Sequence, residues 1–154
     1  YVLLLGLDEF SVVGKGSPSA ETGLHLQLYR HFSEIAVVLH HHSLMATLIS
    51  RAVDETLVLR GYEMLKALGT TSSHETTVEV PVFSNDQNIP RLVTRVDACL
   101  ATAIEGFYGY LIAGHGFYTW GNSMEQALRH VEAFEYLFTC EWHTLNRTKT
   151  RSQA

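Results

Sequence analysis

Three consecutive histidines, His40, His41 and His42, follow the apolar run Ile35–Leu39. Read as a buried strand, that run places His40 and His42 on one face and His41 on the other, because side chains alternate along extended backbone. Two imidazoles aligned at a strand end form part of a metal site. The candidate third ligand lies far down the chain in Gly114-His115-Gly116, where flanking glycines leave an imidazole unobstructed. Three neutral nitrogens suit a catalytic zinc with an open coordination position, whereas structural zinc is usually closed by four ligands, often cysteines. The only cysteines, Cys99 and Cys140, form no short-spaced pair and read as free thiols in a reducing compartment. The other histidines, His25, His31, His74, His130 and His143, read as structural or surface residues.

Two glutamates complete the candidate chemistry, Glu21 and Glu63. A metal beside a carboxylate suits removal of a carbon-bound proton next to a carbonyl, the first step shared by sugar-phosphate lyases, aldolases and epimerases. Glu21 also has a structural reading. Ser19 stands at a predicted helix N-cap, with Leu24, Leu28 and Phe32 following at helical spacing. Glu21 then falls in the first turn, where the helix dipole favours a carboxylate.

The elements around these residues follow from periodicity and turn signals. Strands are predicted over Val2–Leu7 (buried), Phe10–Val13, Ile35–Leu39, Thr56–Leu59, Val78–Val82, Gly109–Ala113 and Phe117–Trp120. Asp8-Glu9 reads as a turn and Gly69–Glu75 as a polar loop. Pro81 marks the Val78–Val82 strand as an edge or a strand end. Helices are predicted over Ser43–Ala52, Gly61–Leu68 and Ile89–Leu100. A last long helix carries Met124, Ala127, Leu128, Val131, Phe134 and Phe138, and the polar tail Asn146–Ala154 is expected to fray. Helices and strands alternate, yet some strands adjoin. The fold class is therefore α/β, three-layered, with a mixed central β-sheet covered by helices.

The 154 residues suffice for one domain, and 46% of them are hydrophobic, ample for one core. A formal net charge of −5 argues against nucleic acid as a partner. No apolar run is long enough to span a membrane, and the apolar start, Tyr1–Gly6, lacks the basic flank and cleavage site of a signal peptide.

Six segments carry a family resemblance: Pro18-Ser-Ala-Glu-Thr22, Val38-Leu-His-His-His-Ser43, Tyr62-Glu-Met-Leu-Lys66, Val78-Glu-Val-Pro-Val82, Gly114-His-Gly-Phe-Tyr-Thr-Trp-Gly121 and Ala127-Leu-Arg-His-Val-Glu-Ala-Phe-Glu-Tyr-Leu-Phe138. In this order and spacing they resemble the class II aldolase family and, within it, the methylthioribulose-1-phosphate dehydratases of methionine salvage. The resemblance implies one Zn2+ per subunit held by His40, His42 and His115. It implies acid/base work by Glu63, with Glu21 sharing it or shaping the metal site, and Ser19 in the segment that holds the substrate phosphate. The implied reaction dehydrates 5-methylthioribulose 1-phosphate to the 2,3-diketone. A sister aldolase or pentulose-phosphate 4-epimerase, or a non-catalytic relative, are the alternatives. The resemblance further implies a sugar-phosphate partner, a homotetramer with sites at subunit boundaries, and a single domain over residues 1–154 that lacks the family's N-terminal helix and phosphate-binding loop. The missing signal and the sparse cysteines make the cytoplasm the expected compartment. The chain departs from the pattern at His41, where the family usually has Thr, and at Ala113, where a larger polar residue is common.

Overall fold

The computed structural model describes residues 3–7, 12–69, 77–102 and 106–151. The predicted Asp8-Glu9 turn, most of the 69–75 loop and His74 lie outside them, as do Phe10 and Ser11 of the second predicted strand.

Two short strands, β1 (Leu4–Leu5) and β2 (Val12–Val13), pair antiparallel as a separate two-stranded sheet. The first strand was expected to be buried, but Leu4 is 69% exposed. Among the described residues it pairs with β2 alone, outside the main sheet. The main sheet has five strands in the order β3-β7-β6-β5-β4. They are β3 (Val37–His41), β4 (Thr56–Arg60), β5 (Thr77–Phe83), β6 (Gly109–Ile112) and β7 (Gly116–Gly121). Only β5 and β6 run parallel, and the intervening helix α3 (Ile89–Leu100) provides their crossover. The other neighbouring pairs are antiparallel, so the sheet is mixed as predicted.

Of the two readings Pro81 allowed, an edge strand or a strand end, β5 is not an edge but an interior strand, and Pro81 lies two residues before its last residue, Phe83. Thr77–Pro81 pair with β4, whereas the β6 ladder involves only Val82 and Phe83. Pro81 therefore stands just before that ladder begins, and its missing N–H removes no bond from it.

Strand alternation sorts the side chains into two cores. Leu111 and Phe117 point to the face covered by α2 (Leu44–Ala52), α4 (Met124–Arg151) and a short 3-10 helix, Glu63–Leu68. Tyr110, Ile112, Tyr118 and Trp120 point to the opposite face, covered by α1 (Thr22–His31) and α3. This is the three-layer arrangement expected from the helix and strand pattern. Each fully buried aromatic or leucine side chain contributes about 1.5–3 kcal/mol of apolar transfer.

Local chemistry sets the helix ends nearest the histidines. Ser43 caps α2, its hydroxyl accepting the Ala46 N–H at 3.0 Å. Ser19 does not cap α1, because that helix begins three residues later. Its hydroxyl instead accepts the Glu21 N–H at 3.3 Å, and its carbonyl accepts the Thr22 N–H at 3.1 Å. Glu21 thus occupies the cap position itself and makes no side-chain cap bond. The tail also differs from expectation. α4 continues to Arg151, with Trp142 and Leu145 still packed against the core and polar side chains bonding back to its carbonyls, as Asn146 does to Trp142 at 2.8 Å.

Candidate metal centre

β3 and β7 pair with His40 opposite Tyr118 and His41 opposite Phe117. His41 meets Phe117 edge-on at 5.6 Å, on the α2/α4 face. His40 stacks flat on Tyr118 at 4.2 Å, on the α1/α3 face. The two adjacent histidines therefore diverge, as alternation requires. His42 turns back toward His40, with ring centroids 4.5 Å apart.

His115 arrives through the tight turn between β6 and β7. Gly114 has φ +68°, a left-handed conformation that glycine adopts without strain. Its N–H donates to the Ser50 hydroxyl of α2 at 3.0 Å, which ties the turn to the helix capped by Ser43. Gly116 passes so close to β3 that an added Cβ would lie 2.5 Å from the His41 carbonyl oxygen. The glycines on either side of His115 thus have separate reasons, one conformational and one of close approach.

α1 brings the carboxylate. Tyr29 of that helix accepts the Val38 N–H at 3.0 Å, fixing α1 to β3. Glu21 then lies 3.2 Å from His40 Nε2 through Oε2 and 3.4 Å from His115 Nε2 through Oε1. Tyr118 donates its hydroxyl to Glu21 Oε2 at 3.1 Å. Burial, reinforced by the Glu21 charge, pushes the Tyr118 phenol well above its ordinary pKa, so it stays protonated as a donor.

Glu21, His40, His42 and His115 gather four ligand atoms within 4.8 Å of one another. His40 Nδ1 lies 3.1 Å from the Phe117 carbonyl oxygen and donates to it, which leaves a lone pair on Nε2. That Nε2 is 2.7 Å from His42 Nε2, which in turn is 3.0 Å from His115 Nε2. Burial pushes the His40 pKa down to about 4, against the opposing pull of the Glu21 charge and of the Phe117 carbonyl. His40 is therefore neutral near pH 7, the form that ligates metals. Three imidazole nitrogens and a carboxylate oxygen converging on one point form an electron-rich donor set. A divalent cation between them compensates that concentration of lone pairs, and the mixed N/O set suits zinc and other first-row metals.

The structure does not bring every expected site residue into this group. Ser19 is two residues from Glu21, on the exposed approach to α1. Glu63 opens the 3-10 helix on the α2/α4 side, with its side chain 73% exposed and 2.5 Å from Lys66. It is not among the four converging ligands. The sequence reading missed Tyr118, which touches both His40 and Glu21. Its only sequence signal is the strand register that sets it opposite His40.

Residues 2–142 match the family described as the class II aldolase and adducin N-terminal domain. The chain belongs to that family. It is 53% identical over 124 residues to the methylthioribulose-1-phosphate dehydratase of Methylococcus capsulatus, covering 80% of this chain and 60% of that one. It is 48% identical over 152 residues to the protein of the same name from Xanthomonas oryzae pv. oryzae, covering 97% and 67%. The chain thus spans about three fifths to two thirds of the length of these curated relatives. Among solved structures, an L-fuculose 1-phosphate aldolase superposes with a TM-score of 0.72 at 21% identity, covering 94% of this chain and 62% of that one. That likeness supports the class II aldolase fold of the family member described here. Among the described residues, no helix is long and apolar enough to cross a membrane.

Proposed function

We propose that this class II aldolase family chain is the greater part of a zinc-dependent methylthioribulose-1-phosphate dehydratase of methionine salvage. The observation that carries the reading is the convergence of Glu21, His40, His42 and His115, in a chain about half identical to relatives of that name. In this proposal the three histidines hold one zinc per chain. A zinc held there supplies Lewis-acid polarisation of the substrate's carbonyl and hydroxyl oxygens.

The chain's own residues have separable tasks. Burial keeps His40 neutral, and its Nδ1 bond to the Phe117 carbonyl leaves Nε2 as the ligating nitrogen. Glu21, fixed by Tyr118, shapes the metal site, and the segment around Ser19 helps to hold the substrate phosphate. Glu63 performs the acid/base work. In the overall reaction the proton on C3 is removed, the C4–O bond breaks, and the departing hydroxyl leaves as water after gaining a proton. The resulting enol takes a proton at C4 to give the 2,3-diketone.

Glu63 lies on the α2/α4 side of the sheet and Glu21 on the α1/α3 side. We assign Glu63 to the site of a neighbouring copy, within a cytoplasmic homotetramer. Mixing tests this arrangement. Glu63→Gln and His42→Ala chains, each inactive alone, should regain part of the activity when assembled together, because some sites then combine an intact metal centre with an intact Glu63. Absence of recovery in mixed oligomers contradicts the assignment. A sister aldolase or 4-epimerase reading has the fold likeness alone behind it. It predicts that Glu63→Gln leaves turnover intact and that 5-methylthioribulose 1-phosphate is not dehydrated.

A further inference from the structure

We propose that Glu141 is a positioning residue for Glu63, acting through the Tyr62 hydroxyl to fix the 3-10 helix on which Glu63 stands. The proposal rests on the acid/base role given to Glu63 above and names the residues that hold it in place.

The Glu63 side chain is 73% exposed, and its ion pair is with Lys66, one turn along the same short helix. That pair moves with the helix, so the placement of the helix directs the carboxylate. The helix is six residues long. Runs of 3-10 helix beyond about four residues are uncommon, because their hydrogen bonds are poorly aligned. The element therefore depends on what it is fastened to. Leu65 and Leu68 are fully buried and press it against the α2/α4 core. Apolar contact has no direction, so it leaves the helix some freedom to slide or turn.

Two polar bonds remove that freedom, and α4 supplies both partners. At the far end of the helix, Arg129 Nε donates to the Ala67 carbonyl at 3.2 Å. At the near end, the Tyr62 hydroxyl donates to Glu141 Oε1 at 2.9 Å. Tyr62 immediately precedes Glu63, and its carbonyl accepts the Leu65 N–H at 3.2 Å, closing the first turn. The tie from α4 thus reaches the backbone directly beside Glu63. A phenol donating to a carboxylate is a charge-assisted bond, stronger than one between neutral groups. Burial first, and then the bond to Glu141, push the Tyr62 pKa up to about 12, so the phenol stays protonated as the donor. A proton-transfer group works only within hydrogen-bond reach of its substrate atom. A shift of about 1 Å in such a group can cost about a hundredfold in rate.

Steady-state kinetics with 5-methylthioribulose 1-phosphate and amide hydrogen exchange test the proposal together. Glu141→Ala should lower kcat roughly tenfold or more, with KM and metal content unchanged. Tyr62→Phe should do the same, and the double variant should be no worse than either single one, because one bond is lost in all three. Glu141→Gln keeps an oxygen acceptor for the phenol and should retain most of kcat. The amides of Leu65 and Gly69 should exchange faster in Glu141→Ala than in wild type or Glu141→Gln, while those of β7 keep their wild-type rates. Full kcat in Glu141→Ala, equal losses in Glu141→Ala and Glu141→Gln, a double variant worse than either single one, or unaltered exchange at Leu65 and Gly69 would each overturn the proposal and leave the dehydratase reading standing. A wild-type enzyme that does not dehydrate the substrate would overturn that reading, and the role of Glu141 with it.

Discussion

Glu21 stands where a helix cap would, yet its carboxylate caps nothing and faces two histidines and a tyrosine. Tyr118 is the side chain that holds this orientation, stacking on His40 while its hydroxyl binds Glu21. Tyr118→Phe keeps the stack and removes the donor. It should weaken metal binding roughly tenfold, the usual scale for partners of metal ligands. It should cost only about 1 kcal/mol of stability. Competition with a chelator checks the first effect and denaturant unfolding the second; unchanged affinity would remove Tyr118 from the metal centre. Glu63→Gln belongs with a different expectation. It should abolish turnover while metal content stays at the wild-type level, since Glu63 is outside the converging group. Loss of metal in that variant would mean Glu63 has been misassigned.

The histidines were legible in the sequence because strand alternation alone separates His41 from His40 and His42, and because glycines flank His115. Tyr118 was not. It lies 78 positions from His40, and only the β3–β7 register brings them together. Ser19 was read as a cap by residue type, but the chain makes a separate turn there before α1 begins. Pro81 pointed to an edge or a strand end, since a missing donor is costly only where a ladder bond is needed, and it lies near the end of an interior strand, just before the β6 ladder. The tail from Asn146 looked polar, yet among the described residues α4 continues through it to Arg151. The turn that presents His115 is held from α2, and two substitutions test that coupling. Ser43→Ala removes the cap and should cost about 1 kcal/mol. Gly116→Ala should do far more, because the new methyl would press on the His41 carbonyl. It should lower both the melting temperature and the metal content. A Gly116→Ala protein with wild-type metal binding would show that the close β3–β7 approach does not shape the site.

The molecule divides into two cores on either face of one mixed sheet, and the metal centre lies at the edge of the α1/α3 side. The far part of that layer is fastened by Asp86. Its carboxylate accepts from Arg91 and Arg95 and from the Asn88 N–H at 2.9 Å, just where Asn88 caps α3. The hydrogen bonds from Arg91 and then from the Asn88 backbone hold its pKa down to about 2, from an ordinary value of 3.8. The folded pKa is depressed, so the stabilisation is fully present above the unfolded value and is lost as pH falls toward the folded one. Asp86→Asn should therefore be less stable than wild type near neutrality, with the difference shrinking between about pH 5 and pH 2. Denaturant midpoints measured across that range check it, and a constant difference would contradict it.

Metal stoichiometry is the measurement to make, by elemental analysis of the purified wild-type chain beside His42→Ala. Wild type should carry about one zinc per chain and His42→Ala much less, because three histidine nitrogens leave a catalytic zinc its open position. A wild-type protein that takes up no divalent metal, or a His42→Ala protein that keeps it fully, would show that the convergence of Glu21, His40, His42 and His115 is not a metal centre.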